Sequence, residues 1–258
     1  MSAPVFLAEP GSLAGIGPGG SYLLEGAEAR HAGVVQRRRP GERVDVVDGA
    51  GLRLICTIAT VEPGSLALDV LDQAVEPAPA VRVVLVQALA KGDRDELAVE
   101  AATEVGVDEV VPWQALRSVV VWRGDRAAKS RARWLASVRT AAKQARRARV
   151  PQVALAVTTA ELAVRVSTVV AAGGAVLVLH EAVSTPWHEV VLPDDAADGS
   201  VREVLLVVGP EGGIAEEEIA VLVEAGAGVV RLGPHVLRTS TAGPVAAALV
   251  CEQLGRWR

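Results

Sequence analysis

The chain has 258 residues, half of them apolar, which is enough to bury a core in one large domain or two modest ones. Its two cysteines, Cys56 and Cys251, give neither a disulfide framework nor metal-ligand spacing, so we expect no metal and a reducing, cytoplasmic location. The N-terminus lacks a basic start followed by an apolar run, so no signal peptide is expected. The longest apolar passage, residues 169–179, is too short to span a bilayer, which argues against a membrane protein.

The net charge of −5 hides a strong asymmetry along the chain. Residues 117–149 contain eleven Arg or Lys and one acid, Asp125, a segment charge of +10 that leaves −15 for the rest. A solvated helix face would explain one such cluster, but a second lies near the N-terminus, and together they indicate phosphate-binding surfaces. The predicted RNA-binding residues are Arg30, His31, Arg37, Arg38, Arg39, Arg117, Arg146 and Arg147.

The first third of the chain reads as short strands separated by turns. From Tyr22 to about Asp72, apolar and polar residues alternate, as Val44 and Val46 do with Arg43 and Asp45, which predicts a small β-rich domain over residues 1–74. The proline-rich segment QAVEPAPAVRVV, beginning at Gln73, is predicted to be a linker.

Residues 75–258 alternate between apolar strands and helices. The strands VRVVLVQAL, EVVPW, AVLVLH, EVLLVVG and GVVRLG are separated by helical segments that include a basic helix from about Asp125 to Arg147. Continuously apolar strands between helices are typical of a parallel sheet covered on both faces, so the predicted fold class is α/β.

Two glycine-containing loops follow strands and precede helices. In VVGPEGGIAEEE, residues 209–213 come after a buried strand, and three acids, 216–218, suit the positive end of the next helix. A tight turn could explain the glycines, but close approach of the backbone to a ligand would explain them as well. In contrast, residues 15–20 satisfy G-x-G-x-x-G without a preceding strand or a following helix, and we interpret them as a turn.

The second loop, in RLGPHVLRTSTAGPV, contains more than a strand-to-helix turn requires. Thr239, Ser240 or Thr241 would cap the helix, and Pro244 would lie in its first turn. Capping does not explain Arg238, because a guanidinium beside a helix N-terminus adds to positive potential, which indicates an electron-rich ligand.

VVGPEGG followed by RLGPHVLRTSTA resembles the C-terminal signature of the SPOUT superfamily, and within it the RsmE family. Further similarity to that family runs through RHAGVVQRRRPGERVDVVDGAG, ALAKGDRDELAVEAATEVGVDEVVPWQALRSVV and AAKQARRARVP, so that it covers nearly the whole chain. The resemblance implies an S-adenosylmethionine-dependent methyltransferase that forms N3-methyluridine in the decoding region of 16S ribosomal RNA. It also implies an N-terminal PUA-like RNA-binding domain, a C-terminal SPOUT domain with a trefoil knot within about residues 175–258, and a homodimer that acts on the small ribosomal subunit.

By the same resemblance, the cofactor lies among three loops. Its predicted ligands are Leu179, His180, Gly209, Pro210, Glu211, Gly212, Leu232, Gly233, Leu237, Arg238 and Thr239. Because uracil N3 must lose its proton, Arg238 is the predicted electrostatic catalyst, with Arg147 as a second candidate. Glu211 is either the general base or an organiser of its loop.

This chain departs from the family pattern in two places. Ser240 replaces a glutamate, and Lys143-Gln144-Ala145 replaces Glu-Gln-Ser. Two other functions therefore remain open: a ribose 2′-oxygen methyltransferase of the same superfamily, and a non-catalytic RNA-binding or ribosome-assembly protein.

Overall fold

The computed structural model describes residues 3–196 and 198–257. The chain forms two compact units: residues up to Ala78 together with Ala142–Val150, and Pro79–Ala141 together with Pro151 onward. The sequence pattern did not reveal that residues 142–150 pack with the N-terminal unit, since nothing in their composition separates them from the helix before them.

The first unit is built on a five-stranded sheet. Its strands are β1 (Val5–Leu7), β2 (Ser21–Glu25), β3 (Arg43–Val47), β4 (Leu52–Glu62) and β5 (Ser65–Val75), in the order β1-β3-β4-β5-β2. All neighbours are antiparallel except β1 and β3. Alternate residues of β4 and β5 are buried in one core, which confirms the predicted half-buried strands. The short β1 and the helix α1 (Gly26–Arg30), which continues as one π-helical turn over His31–Val35, were not predicted.

Charged side chains of the segment 142–150 contact α1 and the chain that follows β5. Lys143 Nζ lies 2.7 Å from a carboxylate oxygen of Glu28. Arg149 donates to the backbone carbonyls of Glu76 (2.8 Å) and Pro77 (3.1 Å). These two cations of the basic segment are therefore used within the unit.

The second unit is built on a seven-stranded parallel sheet. Its strands are β6 (Val81–Ala88), β7 (Glu109–Gln114), β8 (Gln152–Val153), β9 (Val157–Thr158), β10 (Ala175–Leu179), β11 (Arg202–Val208) and β12 (Gly228–Val230). The order is β12-β10-β11-β6-β7-β8, with β9 also paired to β7, and every pair is parallel, as predicted. The central pair joins β6 to β11, with Val81 opposite Arg202.

Helices cover both faces of this sheet. They are α2 (Arg94–Val105), α3 (Asp125–Gln144), α4 (Thr159–Ala171), α5 (Glu216–Glu224) and α6 (Thr239–Gln253). Val84 and Val86 of β6 join the core that α4 and α5 complete, whereas Leu85 faces α6, where a Cβ on Gly243 would lie 2.7 Å from Leu85 Cδ1. Within the described residues, no helix has both the length and the apolar character that crossing a membrane requires.

Helix α4 was missed by the sequence analysis although its signals are present. Thr158 caps it and forms a capping box with Glu161, in which each side chain accepts from the other residue's backbone N–H. Leu162, Val166 and Val169 then fall on one buried face.

Candidate active site at the carboxyl edge of the sheet

A cavity of about 440 Å³ lies where neighbouring parallel strands of the second unit end. Parallel strands place all their carboxyl ends at one edge, so the loops after β6, β10, β11 and β12 meet there although they are far apart in sequence. Its volume is within the range of small-molecule sites. It is lined by Arg94, Leu179, His180, Glu181, Val208, Gly209, Pro210, Glu211, Gly213, Ile214, Val236, Leu237, Arg238, Thr239 and Ala242.

Most of the predicted cofactor-binding residues are brought together at this cavity. Leu179, His180, Gly209, Pro210, Glu211, Leu237, Arg238 and Thr239 line it. Leu232 and Gly233 line a smaller cavity that shares Leu179, His180 and Leu237 with the first. Gly212 lines neither cavity, although the adjacent Gly213 does. Arg147 belongs to the other unit of the chain.

The predicted capping of the last helix is wrong. The N-cap is Arg238, whose side chain makes no capping hydrogen bond, and Thr239 is the first helical residue. The Thr239 hydroxyl instead donates to the carbonyl oxygen of Gly209, at 2.8 Å. Pro244 is the sixth helical residue and thus lies beyond the first turn.

Arg238 is exposed at the rim of the cavity. Among residues 3–196 and 198–257, no group hydrogen-bonds its guanidinium, so its donors are available to a ligand. Its position at the N-terminus of α6 adds the partial positive charge of the helix to its own, which makes this the point of the cavity best suited to an anion.

Glu211 is held by two groups from the loop after β6. Its Oε1 accepts from Arg94 Nη1 at 2.7 Å and from the Lys91 backbone N–H at 3.1 Å. Burial alone raises the pKa of the Glu211 carboxyl, but hydrogen bonds from its own backbone N–H, Arg94 and Lys91 outweigh burial and lower that pKa below its ordinary value. A carboxylate so paired is a weak proton acceptor, which favours the loop-organising role over that of a general base.

The chain after β7 also contacts the loop that carries Glu211. Arg117 Nη1 donates to the Gly212 carbonyl at 3.2 Å. The buried Glu218 carboxylate accepts from the Leu116 backbone N–H (2.9 Å) and from the Thr159 hydroxyl (2.6 Å). Residues 209–213 are therefore held by contacts from three other segments: the chain after β6, the chain after β7 and the first residue of α6.

Sequence and structure comparisons identify relatives over almost the whole chain. The RNA methyltransferase domain family matches residues 76–251. A ribosomal RNA small subunit methyltransferase E from Mycobacterium bovis is 46% identical over 93% of this chain and 89% of its own length. One from Bacillus subtilis is 29% identical over 90% of each chain.

Two solved structures share the fold. Ribosomal RNA small subunit methyltransferase E from Neisseria gonorrhoeae, bound to S-adenosyl methionine, is 27% identical, with a TM-score of 0.82 over 98% of both chains. A putative methyltransferase from Legionella pneumophila, in complex with the same cofactor, is 26% identical, with a TM-score of 0.81 over 98% of both chains. The chain belongs to the ribosomal RNA small subunit methyltransferase E family.

In this member of the methyltransferase E family, several cations of the basic segment have internal partners. Arg131 donates to the carbonyls of Val153 and Ala154, and Arg133 lies 3.3 Å from Glu96. The cations that are exposed without such a partner in the described part of the chain are Arg123, Arg126, Lys129, Arg139 and Arg146. Charge counting alone therefore overstates the free positive surface.

In the N-terminal cluster of this methyltransferase E chain, most of the arginine side chains are exposed and without an internal partner in the described residues. Arg37 and Arg39 are exposed, whereas Arg38 is paired with Glu42 at 3.1 Å. His31 Nε2 lies 3.0 Å from Gln36 Nε2, and the His31 ring packs edge-on against Phe6, with ring centroids 6.4 Å apart. Arg30 is exposed as well, so Arg30, Arg37 and Arg39 are the members of this cluster whose side chains have no partner in the described part of the chain.

The sequence analysis missed two charged residues that line the cavity, Arg94 and Glu181. Each follows the carboxyl end of a strand, β6 for Arg94 and β10 for Glu181. The rule that pointed to residues 209–213 would have pointed to both, had it been applied to every strand of the sheet.

Proposed function

We propose that this protein transfers a methyl group from S-adenosylmethionine to N3 of a uracil base in 16S ribosomal RNA of the small subunit. The observation that carries the proposal is the meeting of three loops, those after β10, β11 and β12, at one cavity, with the Arg238 guanidinium, unpaired among the described residues, at its rim. The matches to the methyltransferase E family support the same activity.

The residues of the cavity fit the proposed cofactor. Gly209 allows the backbone to approach a ligand without a side chain between them, and Leu179, Ile214 and Leu237 supply apolar surface for an adenine ring. The residues that would hold the cofactor are those predicted from the sequence: Leu179, His180, Gly209, Pro210, Glu211, Gly212, Leu232, Gly233, Leu237, Arg238 and Thr239. When bound, the cofactor supplies an electrophilic methyl group on a sulfonium.

The chain's own part in the reaction is to generate and align the nucleophile. Arg238 stabilises the negative charge that develops on a uracil carbonyl oxygen as N3 loses its proton, which lowers the pKa of N3 at the site. Arg94 and Glu211 hold the loop that closes one wall of the cavity. Arg147 remains a second candidate for the electrostatic role given to Arg238.

The finer features of the fold are also proposals. The long connection between β10 and β11 runs beside the chain that leaves β12: the Arg231 N–H donates to Thr185 O (2.9 Å), and the Trp187 N–H donates to Arg231 O (3.0 Å). This pairing supports a trefoil knot in the SPOUT domain. The small, mostly antiparallel sheet of the first unit supports a PUA-like domain.

We further propose a cytoplasmic homodimer. Val236 and Val245, on the loop after β12 and on α6, are apolar and exposed beside or near the cavity, and a second copy would cover such residues. Light scattering after size-exclusion chromatography gives the mass directly, and a monomer at micromolar concentration would contradict the dimer.

The function is tested by methyl transfer from labelled S-adenosylmethionine. Unmethylated small subunits and naked 16S RNA are the two substrates, followed by digestion and mass analysis of the nucleosides. N3-methyluridine is the expected product. A ribose-methylated nucleoside would assign the protein to the sister activity, and cofactor binding without any product would make it a non-catalytic RNA-binding protein.

Gly209→Ala is expected to weaken cofactor binding about tenfold. Its Cβ would lie 2.6 Å from Ile214 Cγ1, so Ile214, which lines the cavity, must shift. Isothermal titration calorimetry measures the Kd. Gly228→Ala is the control, because it lies outside both cavity linings and its Cβ would meet nothing closer than Val176 O at 3.8 Å. Equal Kd values for the two variants would contradict the prediction.

Removing the charges of Arg37 and Arg39 is expected to weaken RNA binding and its salt dependence. The double variant Arg37→Asn/Arg39→Gln suits the positive φ of 54° at Arg37, because asparagine tolerates that conformation. Losing two phosphate contacts lowers the slope of log K against log salt by about 1.4 for single-stranded RNA. Arg37→Lys/Arg39→Lys retains both charges and should keep the slope. The prediction fails if filter binding gives all three proteins the same slope.

A further inference from the structure

Gln87 is a fully buried polar side chain near the carboxyl end of β6. Its neighbours on the strand, from Val83 to Val86 and Ala88, are all apolar and buried. An amide in such surroundings is costly unless it is hydrogen-bonded. Gln87 Nε2 donates to the Thr239 hydroxyl at 2.9 Å and to the Ala88 carbonyl at 3.2 Å.

The hydrogen bond to Thr239 decides where the hydroxyl proton goes. A threonine hydroxyl has one proton to donate, and an amide nitrogen can only donate. Because Gln87 approaches as a donor, the Thr239 oxygen accepts from it, and the hydroxyl proton points to the carbonyl of Gly209 at 2.8 Å. A chain of two hydrogen bonds thus joins the centre of the sheet to the first residue of α6 and to the loop after β11.

Two of the three residues in that chain of hydrogen bonds line the cavity. Thr239 and Gly209 line it, whereas Gln87 lies behind them and does not. Gln87 therefore helps to fix the spacing between the loop after β11 and the N-terminus of α6, although it lies outside the cavity lining and would not touch a bound ligand.

The Gln87 amide is not the side chain that would maximise the folding stability at this position. Gln87 Oε1 is buried and has no partner among the described residues. Replacing both partners of a buried hydrogen bond with apolar groups of the same shape can be nearly neutral or stabilising. A core position chosen for stability alone would be leucine, as at Leu85 on the same strand.

We propose that Gln87 is a positioning residue for the methyl-donor pocket: it directs the Thr239 hydroxyl onto the Gly209 carbonyl and so holds two of the three cofactor loops at the spacing that binding requires. The proposal rests on the proposed function, because it takes S-adenosylmethionine as the ligand of the cavity. It adds a residue outside the cavity lining to those on which donor affinity depends.

The test compares Gln87→Leu, Thr239→Val and the double variant with the wild-type protein. Gln87→Leu should raise the Kd for S-adenosylmethionine about tenfold in calorimetry, while its Tm stays within about 5 °C of wild type. Thr239→Ser keeps a hydroxyl and should therefore bind S-adenosylmethionine more tightly than Thr239→Val does. The double variant should bind no more weakly than Thr239→Val alone, because both substitutions break one chain of hydrogen bonds.

Thr103→Val is the matched control. It removes a buried hydroxyl that donates to a backbone carbonyl, that of Val99 at 2.7 Å, but in α2 and outside the cavity lining. It should leave the Kd unchanged. An unchanged Kd in Gln87→Leu, or effects of Gln87→Leu and Thr239→Val that add in the double variant, would overturn the proposal.

Hydrogen exchange without any ligand separates this proposal from the function on which it rests. In Gln87→Leu, the amides of residues 209–214 should exchange about tenfold faster than in wild type, whereas Thr103→Val should leave them unchanged. Faster exchange in a protein whose wild type binds no S-adenosylmethionine would overturn the proposed function and leave the positioning of the loop intact. Unchanged exchange would overturn the positioning itself.

Discussion

Arg238→Ala is expected to lower kcat for methyl transfer by about 100- to 1000-fold, the usual effect of removing one preorganised donor to a developing oxyanion. The Kd for S-adenosylmethionine should change much less, because the guanidinium acts on the uracil anion. Arg238→Lys keeps the charge but loses the planar pair of donors, so its kcat should lie between those of wild type and Arg238→Ala.

The pH profile distinguishes this role from a structural one. If Arg238 lowers the pKa of uracil N3 at the site, the rise of kcat with pH should move to higher pH in Arg238→Ala, by about two units for a 100-fold effect. Raising the pH would then recover part of the lost rate. A lower kcat with an unshifted profile, or a weakened Kd with normal kcat, would show that Arg238 acts in some other way.

Glu109→Ala is expected to cost about 3–5 kcal/mol of unfolding free energy, because it breaks an ion-pair network at the start of β7. Glu109 contacts Arg165 at 2.7 Å and Arg82 at 2.9 Å, and its side chain is 9% exposed. Both arginines also contact Glu203, at 3.2 and 3.1 Å. Without Glu109, two guanidinium groups share one carboxylate.

Urea denaturation measures this loss as a lower midpoint at unchanged slope. Glu104→Ala is the control: this α2 carboxylate is exposed and has no partner in the described residues, so the substitution should change stability by less than about 0.5 kcal/mol. Similar midpoints for the two variants would refute the prediction.

The Glu109 network also predicts a pH dependence. Burial raises the pKa of the Glu109 carboxyl, but Arg165 and then Arg82 outweigh burial, so that pKa lies below the ordinary 4.5. A lowered folded-state pKa means that the stabilisation is fully present above the unfolded-state value and is lost as pH falls through the folded-state value. The difference in stability between wild type and Glu109→Gln should therefore be constant above about pH 5.5 and shrink below pH 4.5.

The sheet was predictable because its strands carry their own signal. Continuous apolar runs between helical segments indicated a parallel sheet, and the structure has one. The convergence of residues 209–211 and 237–239 followed from the rule that parallel strands end at one edge, whereas residues 179–180 were predicted from the family resemblance alone. Helix α4 carried equally local signals in Thr158 and Glu161, and its omission reflects incomplete application of the capping rule.

Other features depend on partners that sequence proximity does not reveal. The capping rule offers Thr239, Ser240 or Thr241, but the Thr239 hydroxyl donates to the Gly209 carbonyl, and the N-cap residue is Arg238. Glu211 could be a base or an organiser until Arg94 is known to lie 2.7 Å away. Arg131 counts toward the positive charge of residues 117–149, but its guanidinium donates to the Val153 and Ala154 carbonyls. Each of these outcomes is decided by a contact between distant segments.

The pairing of β6 with β11 has a consequence for how the chain is made. About 120 residues separate the two strands, so at about 5–20 residues per second β6 leaves the ribosome about 6–24 s before its central neighbour exists. During that interval one edge of an almost wholly apolar strand is unpaired, which is the situation that invites aggregation. We therefore expect the nascent chain to need chaperones to prevent aggregation during this interval. The cavity cannot form until α6 has been synthesised, because Thr239 and Ala242 line it.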